Sequence, residues 1–586
     1  MGEGDINPDG SINFSLAQRV VLFFDPLTLD LDGDGLETVS AEASGVFFDH
    51  NGDGIREGTG WVLSDDGFLV LDRNANGSID TGAELFGDST PLSSGGTAAD
   101  GFAALAQEDT NADGVVNAAD ARFADLRIWR DLNQDGESQS GELFTLADLG
   151  IASINVAAAE HSQVLSDGNR IADLGSYTKT DGSTGTVGDV GQMADIDLSV
   201  DTFHREFTDP IPLAAGVTAL PNMQASGKVR DLWEAASQSG ALYASLAGYS
   251  AASTRAGQLA LLDDLVDLWS DTAGLQTMEE RATSALASGQ NPFGYDLKWD
   301  AVGTKRAGDF ITGHGPGNEP IYDPQWIATV EQFEKELYIL EAFNGRYFFT
   351  FPWETPEGAA AIEGMRVDAA PTDPNTGAPL EAGGIHLILS QGQIDLLNQS
   401  YQALKASVYD SLVLQTRFKP LLDAIELVIG TNGGIALDFS AVQAGLQTRL
   451  TQDSANGMID LIEFNRYTSG FLAGAGWEGD ALLETSLRTL GVTPALQAVY
   501  DEMQVRVQTT AGASIPSSDG HDVLVLDARN NFDGGGSGDD VIFAGAGIDR
   551  INGGPGNHTL RGRAGVCIRP HRRQNGGHSP RHPCLS

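Results

Sequence analysis

Five short loops of one pattern lie between Phe24 and Glu142, and they constrain the chain more than any other feature. They read DLDGDG from Asp30, DHNGDG from Asp49, DRNANG from Asp72, DTNADG from Asp109 and DLNQDG from Asp131. A D-x-[DN]-x-[DN]-G spacing sets hard oxygen atoms at alternate positions of a tight turn. The glycine lets the backbone turn the next carbonyl inward. Calcium, which takes six to eight oxygen ligands on a flexible loop, is the ion this spacing suits.

The last two loops fit the twelve-residue calcium pattern well. Asp109, Asn111, Asp113, Gly114, Asn117 and Asp120 fill positions 1, 3, 5, 6, 9 and 12. Asp131, Asn133, Asp135, Gly136 and Glu142 do the same, with Gln139 at the ninth place. The first three loops are irregular. In the first, Asp30, Asp32 and Asp34 lead to Glu37, but position 12 is Ala41 and the nearest acid is Glu42. In the second, Asp49, Asn51 and Asp53 lead to Glu57 at position 9, with Gly60 at 12. In the third, Asp72, Asn74 and Asn76 lead to Asp80, and Glu84 comes one place late. These three read as modified sites that share ligands across loops. The blander reading, surface turns rich in Asp, Asn and Gly, does not account for five in so short a stretch.

The charge balance agrees. The 586 residues carry a formal charge of −48, a field that repels nucleic acid and anionic membrane and attracts cations. Residues 25–200 alone hold 33 Asp and Glu against 7 Lys and Arg. Such an excess is usually plain solvated acidity, but here the carboxylates fall at ligand spacing. The two cysteines, Cys567 and Cys584, lie near the end, so the body of the chain holds no disulfide framework or zinc site. The opening MGEGDINPDG has neither a basic start nor an apolar core, so no cleaved signal peptide is expected. The longest apolar runs, such as Val20 to Phe24, are far short of a membrane span.

Taken in order, the chain predicts a multidomain α+β protein. EF-hand/dockerin-like calcium loops come N-terminally, a mainly helical middle follows, and a short parallel β-roll closes it. The expected boundaries are 1–25, 26–208, 209–516, 517–562 and 563–586. Phe123, Leu126 and Trp129 predict an amphipathic helix over Ala118 to Arg130. Short strands are expected from Ile151 to about Val200. The middle shows helical stripes, such as Leu259, Leu262, Val266 and Trp269. Another, Phe333, Leu337 and Leu340, stops at Asn344-Gly345. RYFFTF, Arg346 to Phe351, reads as a strand, and QDSANGMIDLIEF from Gln452 as a sixth calcium loop. GGSGDDVIF, AGAGIDRIN and GGPGNHTLR repeat every nine residues from Gly535. They follow the G-G-x-G-x-D-x-U-x pattern of calcium-binding β-rolls. Asp540 and Asp549 take the aspartate place, and His558 stands there in the third repeat. The basic, proline-containing tail after Arg561 reads as a reading-frame change or truncation.

The run DPLTLDLDGDGLETV from Asp25, followed by GVFFDHNGDG, DRNANGSIDTGAELFGD and DLNQDGESQSGELFTLADLGI, resembles the self-processing module of iron-regulated RTX proteins. The nonapeptides resemble the RTX repeats of the same secreted family, and the helical middle is similar to the region found beside them. The resemblance implies calcium-dependent cleavage of Asp25-Pro26. It also implies transfer of the freed aspartyl group to a lysine amine, on another protein or a cell surface, as an isopeptide link. Export by a signal-independent type I route is implied as well. The chain departs from the family in having only 25 residues before the bond and no ordinary C-terminal secretion signal.

Chemistry gives Asp25-Pro26 its own logic. An aspartate side chain can reach its own carbonyl and close a five-membered anhydride, while proline supplies a strongly basic leaving nitrogen. The dipeptide alone proves little, since Asp209-Pro210, Asp323-Pro324 and Asp373-Pro374 also occur. The competing reading is a non-catalytic, calcium-stabilised adhesion or surface-structural module. A separate hydrolase is disfavoured, because no G-x-S-x-G, H-E-x-x-H or phosphate-binding glycine loop occurs.

Overall fold

The computed structural model describes residues 23–183, 193–290, 297–316, 320–349, 351–354, 385–429, 435–508, 515–529, 531–546 and 549–562. It also places short strands at 5–6, 12–14 and 567–569. The chain divides into two compact units. The first comprises residues 1–244 and 264–405, the second 245–263 and 406–586.

A fifteen-residue strand, Met193–Phe207, is the spine of a ten-stranded antiparallel sheet in the first unit. Arg170–Gly175 pairs with its first part. Leu27–Leu29, Phe23–Phe24 and Ile55–Thr59 pair with it in succession along its length. Outward from Leu27–Leu29 come Gly67–Val70, Arg127–Trp129 and Leu143–Thr145. Side chains alternate between faces along a strand, and here both faces are covered. Phe68 and Val70 join one core cluster and Leu69 the other. Met193 parts in the same way from Ala194, Ile196 and Leu198. Burial on both sides is why GFLV is apolar throughout rather than alternating. Phe48, Trp61, Phe68 and Trp129 meet in one aromatic cluster, with ring centroids 4.8 to 6.1 Å apart.

The helix expected over Ala118 to Arg130 does not form. Residues 118–125 are turns, and Arg127–Trp129 is a strand between Gly67–Val70 and Leu143–Thr145. The reason lies in the core: Ile128 and Trp129 enter opposite clusters, which a strand permits for neighbours. None of the five loops is flanked by a helix on both sides. Each follows or precedes a strand, except that helix Gly101–Ala106 leads into the fourth.

The rest of the first unit is helical with several smaller sheets, among them one of Val115–Asn117, Ile151–Asn155 and Tyr177–Lys179. Helix Pro324–Asn344 starts with Asp323 Oδ1 accepting the Gln325 N–H at 2.8 Å and stops at Gly345 in the left-handed region, φ 84°. A five-stranded sheet runs Asp5–Ile6, Ile12–Phe14, Ile385–Leu389, Leu297–Val302, Lys305–Arg306. Residues ahead of Asp25 therefore pair in the ten-stranded and the five-stranded sheets. RYFFTF is not a strand: its described residues bend, and Pro352–Glu354 form a 3₁₀ turn. Arg281 explains this. Its guanidinium donates to the Phe349 carbonyl at 2.8 Å and lies 3.7 and 4.7 Å from the Tyr347 and Phe351 ring centroids. A side chain, not a neighbouring strand, takes that backbone acceptor.

In the second unit, helices Ser440–Gln452, Ser454–Leu472, Gly479–Leu490 and Pro494–Glu502 precede a set of parallel strands. The sixth calcium loop is not formed. Asp453 caps a helix through its residues, accepting from Ala455 and Asn456 N–H at 3.0 and 3.1 Å. Asp460 and Glu463 are buried and neutralised by arginines. Arg417 bonds both, Arg449 holds Asp460 at 2.8 Å, and Arg255 holds Glu463 at 2.8 Å. Tyr409 Oη also donates to Glu463 at 2.9 Å.

Beyond the helices, Val505–Val507, Val523–Val525, Val541–Phe543 and Thr559–Arg561 pair in parallel. Phe532–Gly534, Arg550–Asn552 and Cys567–Arg569 do likewise. Partners stand eighteen residues apart along the first ladder, as Val523 with Val541 and Val541 with Thr559, so one turn takes two nonapeptides. Leu524, Leu526, Ile542, Ala544 and Ile551 form the core. The parallel pairing starts at Val505, ahead of the expected boundary at 517. Apart from 567–569, the tail after 562 lies outside the described residues. Among the described residues no helix is long and apolar enough to cross a membrane.

Replacing Arg417 by Met leaves Glu463 and Asp460 as poorly compensated buried charges. Urea unfolding should show a loss of about 3–5 kcal/mol; a loss under about 1 kcal/mol would contradict the role given to this arginine.

Candidate functional site: five acidic loops around Asp25-Pro26

The five loops share one backbone. Position 4 is left-handed in each, at Gly33, Gly52, Ala75, Ala112 and Gln134, and position 6 is a left-handed glycine in all five. Ala75, Ala112 and Gln134 are held in a region that non-glycine residues seldom adopt. The first carboxylate always accepts the N–H of position 6. Asp30, Asp49, Asp72, Asp109 and Asp131 take those of Gly35, Gly54, Gly77, Gly114 and Gly136, at 3.2, 3.0, 2.8, 2.8 and 2.8 Å. Side chains at position 3 accept from position 5: Asp32 from Asp34, Asn51 from Asp53, Asn74 from Asn76 and Asn111 from Asp113. In the fifth loop Asn133 instead donates to Asp135 at 2.8 Å. Asp80 accepts from Asn76 at 2.8 Å, and Asn117 Oδ1 is taken by the Ala119 N–H at 2.8 Å.

The loops are closed by a second carboxylate on the N–H of position 2. Glu142 accepts from Leu132 at 3.1 Å, and Asp120 from Thr110 at 2.8 Å. Glu84, though one place late, accepts from Arg73 at 3.1 Å in the same way. In the first loop this carboxylate is Asp66, 36 residues after Asp30, accepting from Leu31 at 3.2 Å and Glu37 at 3.3 Å. Asp66 is fully buried and stands with Asp30 and Asp32 in a cluster that could hold a metal ion. Glu42, the nearest acid by sequence, sits instead in the first turn of the short helix Ala41–Ser44. Spacing alone could not point to Asp66, which comes from a turn between strands; the vacancy at Ala41 was the only signal. Among the described residues the second loop shows no such closing carboxylate. Lys228 Nζ lies 3.0 Å from Asp53 Oδ2, an ammonium already seated at its edge.

Several carboxylate oxygens here are buried without a donor among the described residues, namely Glu37 Oε2, Glu57 Oε2 and Asp65 Oδ1. Burial, then neighbouring carboxylates, pushes the Glu57 carboxyl up to about 8. Burial, opposed by the Leu31 and Glu37 N–H groups, takes Asp66 up to about 7. A divalent cation is what such oxygen sets fit. Trp61 ties the fifth loop to the aromatic core, its Nε1 donating to Asp131 Oδ2 at 2.9 Å.

The parallel strands show the same deficit. Asp522, Asn531, Asp540, Asp549 and His558 stand nine residues apart. Asp522 N–H donates to Asp540 Oδ1 at 3.0 Å and Asn531 N–H to Asp549 Oδ1 at 2.8 Å. The other oxygens, Asp522 Oδ1, Asp540 Oδ2 and Asp549 Oδ2, are buried with no donor among the described residues. The turn lies so close over Asp540 that a Cβ on Gly535 would strike its Oδ2. His558 Nδ1 is 3.1 Å from that oxygen. Asp522 and Asn531 were missed in the sequence because their turns lack the paired glycines.

Asp25-Pro26 lies where the ladder is interrupted. Phe24 pairs with Leu198 and Leu27 with Asp195 on the spine strand, so the bond faces Asp197 and Ile196. Proline has no N–H to give a ladder, but its carbonyl accepts the Ile196 N–H at 3.2 Å. A small cleft is lined by Phe24, Asp25, Pro26, His50, Gly87 and Asp88, among others. Asp25 Oδ1 accepts the Asp88 N–H at 2.6 Å, and the two side chains also hydrogen-bond to each other. Only glycine fits at 87, since a Cβ would come within 2.9 Å of the Asp25 carbonyl oxygen. His50 stacks on Phe24 with ring centroids 4.3 Å apart, and burial lowers its pKa to about 3, so the ring is neutral.

Burial, then the charges of Asp195 and Asp88, pushes the Asp25 carboxyl up to about 10. Asp195 is itself raised well above the usual range by burial; its Oδ2 accepts the Gly101 N–H at 3.1 Å, and its Oδ1 finds no donor among the described residues. Asp197 is paired with Arg170. The other Asp-Pro pairs differ. Asp209 is exposed and ion-paired with Arg230, Asp323 is a helix cap, and 373–374 lies outside the described residues.

Residues 27–192 match the family model described as the SPM domain. The region holding the five loops is thus similar to a defined domain class, whose match begins one residue after Pro26. Over 448 residues the chain is 37% identical to Iron-regulated protein FrpA of Neisseria meningitidis serogroup C. That alignment covers 76% of this chain and 36% of the relative, so the chain spans about a third of the length of that curated relative. The homology supports a relationship to iron-regulated proteins of this kind.

Asp66 and Glu57 hold protons in the folded, cation-free protein that the unfolded chain releases at ordinary carboxylate values. The native state then binds more protons, so stability falls as pH rises. In chelator, the melting temperature of the first unit should drop from about pH 4.5 to about pH 8. A flat or rising curve would contradict the burial assigned to these groups.

Proposed function

We propose that the chain is a secreted, RTX-type calcium-binding protein whose first unit cleaves itself at Asp25-Pro26 once calcium fills the acidic loops. The observation that carries this reading is the setting of Asp25. Its bond interrupts a ladder on the spine strand, within a cleft where a backbone N–H fixes the side-chain carboxyl. The five loops, with Asp66 completing the first, are the proposed EF-hand-like calcium sites. Asp522, Asn531, Asp540 and Asp549 belong to a calcium-binding β-roll. When bound, calcium neutralises carboxylates that otherwise repel one another across the sheet ends.

The chain's own residues carry the cleavage. The Asp25 side-chain oxygen attacks the Asp25 carbonyl carbon and closes a cyclic anhydride; the bond to the Pro26 nitrogen breaks, and the proton lost by the Asp25 carboxyl ends on that nitrogen. Water, or a lysine amine, then opens the anhydride. Gly87 and the Asp88 N–H hold the nucleophile in place, and positioning of this kind supplies most of the rate in intramolecular acyl transfer. The Ile196 N–H fixes Pro26 from the other side.

Millimolar calcium added to the pure chain should produce a new N-terminus at Pro26, read by mass spectrometry, and Asp25→Ala should abolish it. Calcium uptake with no new terminus would leave the non-catalytic structural module as the correct reading. Asp66→Asn should lower the affinity of the first loop about tenfold or more by calorimetry. An unchanged isotherm would remove Asp66 from that site.

A further inference from the structure

We propose that Asp88 carries the proton of the Asp25-Pro26 cleavage, taking it from the Asp25 carboxyl and delivering it to the prolyl nitrogen. This rests on the self-cleavage reading above. The need is chemical. A protonated Asp25 is a poor nucleophile, and a proline nitrogen cannot leave as an anion, so one proton must move from the first to the second.

Within the cleft, the geometry points to Asp88 for the task. Of the titratable residues lining the cleft with Pro26, only Asp25, His50 and Asp88 are present among the described residues. His50 has its ring stacked on Phe24 and its Nε2 engaged with Thr59 Oγ1 at 3.1 Å. Asp195 and Asp197 face the bond from the spine strand but do not line that cleft; Asp195 Oδ2 is held by the Gly101 N–H and Asp197 by Arg170. Asp88 is hydrogen-bonded to the Asp25 carboxyl through its own side chain. Its other partner is the Ser89 hydroxyl, donating to Oδ1 at 3.1 Å.

The step balances without any co-reactant. The Asp25 O–H bond breaks and its proton passes to the Asp88 carboxylate. The freed Asp25 oxygen bonds to the Asp25 carbonyl carbon, and the electron pair of the C–N bond goes to nitrogen. The Asp88 proton joins that nitrogen, giving a secondary amine at Pro26, a cyclic anhydride at Asp25 and an ionised Asp88.

The test uses the full chain in saturating calcium, with the rate of appearance of the Pro26 terminus as readout and calcium calorimetry as the check on folding. Asp88→Asn keeps the backbone N–H that holds Asp25 but cannot carry the proton. It should bind calcium like the parent chain and cleave about 100-fold or more slowly, while Asp88→Glu recovers part of the rate. Cleavage by Asp88→Asn at the parent rate overturns the role of Asp88 and leaves self-cleavage standing; a silent parent chain overturns self-cleavage itself. If Asp88→Asn loses calcium uptake, the parent chain in heavy water decides. A slowing of roughly twofold or more supports proton transfer in the cleavage step, and an unchanged rate contradicts it.

Discussion

A buried carboxylate must find donors or a positive charge, and that requirement shapes both units of this protein. It is met in two ways. The loops wrap backbone N–H groups around one oxygen of each leading aspartate. The helical part of the second unit supplies arginines, with Arg417 serving Asp460 and Glu463 together. What these leave unmet is a set of inward oxygens, on Glu37, Glu57 and Asp65 in one unit and on Asp522, Asp540 and Asp549 in the other. Hydrogen bonding without full satisfaction is costly in a protein interior, and the proposed divalent cations would resolve it in both places by the same physics.

The spine strand turns that local chemistry into a positioned bond. Met193–Phe207 collects Phe23–Phe24, Leu27–Leu29 and the more distant Ile55–Thr59, and Asp25-Pro26 falls in the short gap between the first two. The loops sit at the ends of the paired strands, so ordering them orders the ladder. Asp25 lies off the loops themselves, and the acids around it are Asp88, Asp195 and Asp197. The proposed ion sites and the proposed scissile bond are thus separate and joined by the sheet. This supports a folding role for calcium.

Much of this was legible in the sequence, and the failures have physical causes. Loop spacing is local, so all five loops were visible, and the left-handed positions follow from it. Asp66 was invisible because it enters the first loop from another turn. Asp88 and Asp195 carry no motif; only strand pairing brings them to Asp25. Phe123, Leu126 and Trp129 fit a helical stripe, yet Ile128 beside Trp129 needed a second core, which only a two-faced sheet provides. Asp460 and Glu463 have calcium-loop spacing on a helix, and the arginines that neutralise them lie far away in sequence. The nonapeptide register was read from its glycines, so the rungs at Asp522 and Asn531, with fewer glycines, went unseen.

Amide hydrogen exchange along Met193–Phe207, with calcium and with chelator, tests the central claim most directly. The account predicts strong protection across the strand in calcium and loss of most of it when the ion is withdrawn, because the segments paired to the spine are held by the loops. Equal protection in both conditions would show that the acidic loops need no cation to order the sheet, and would contradict the account.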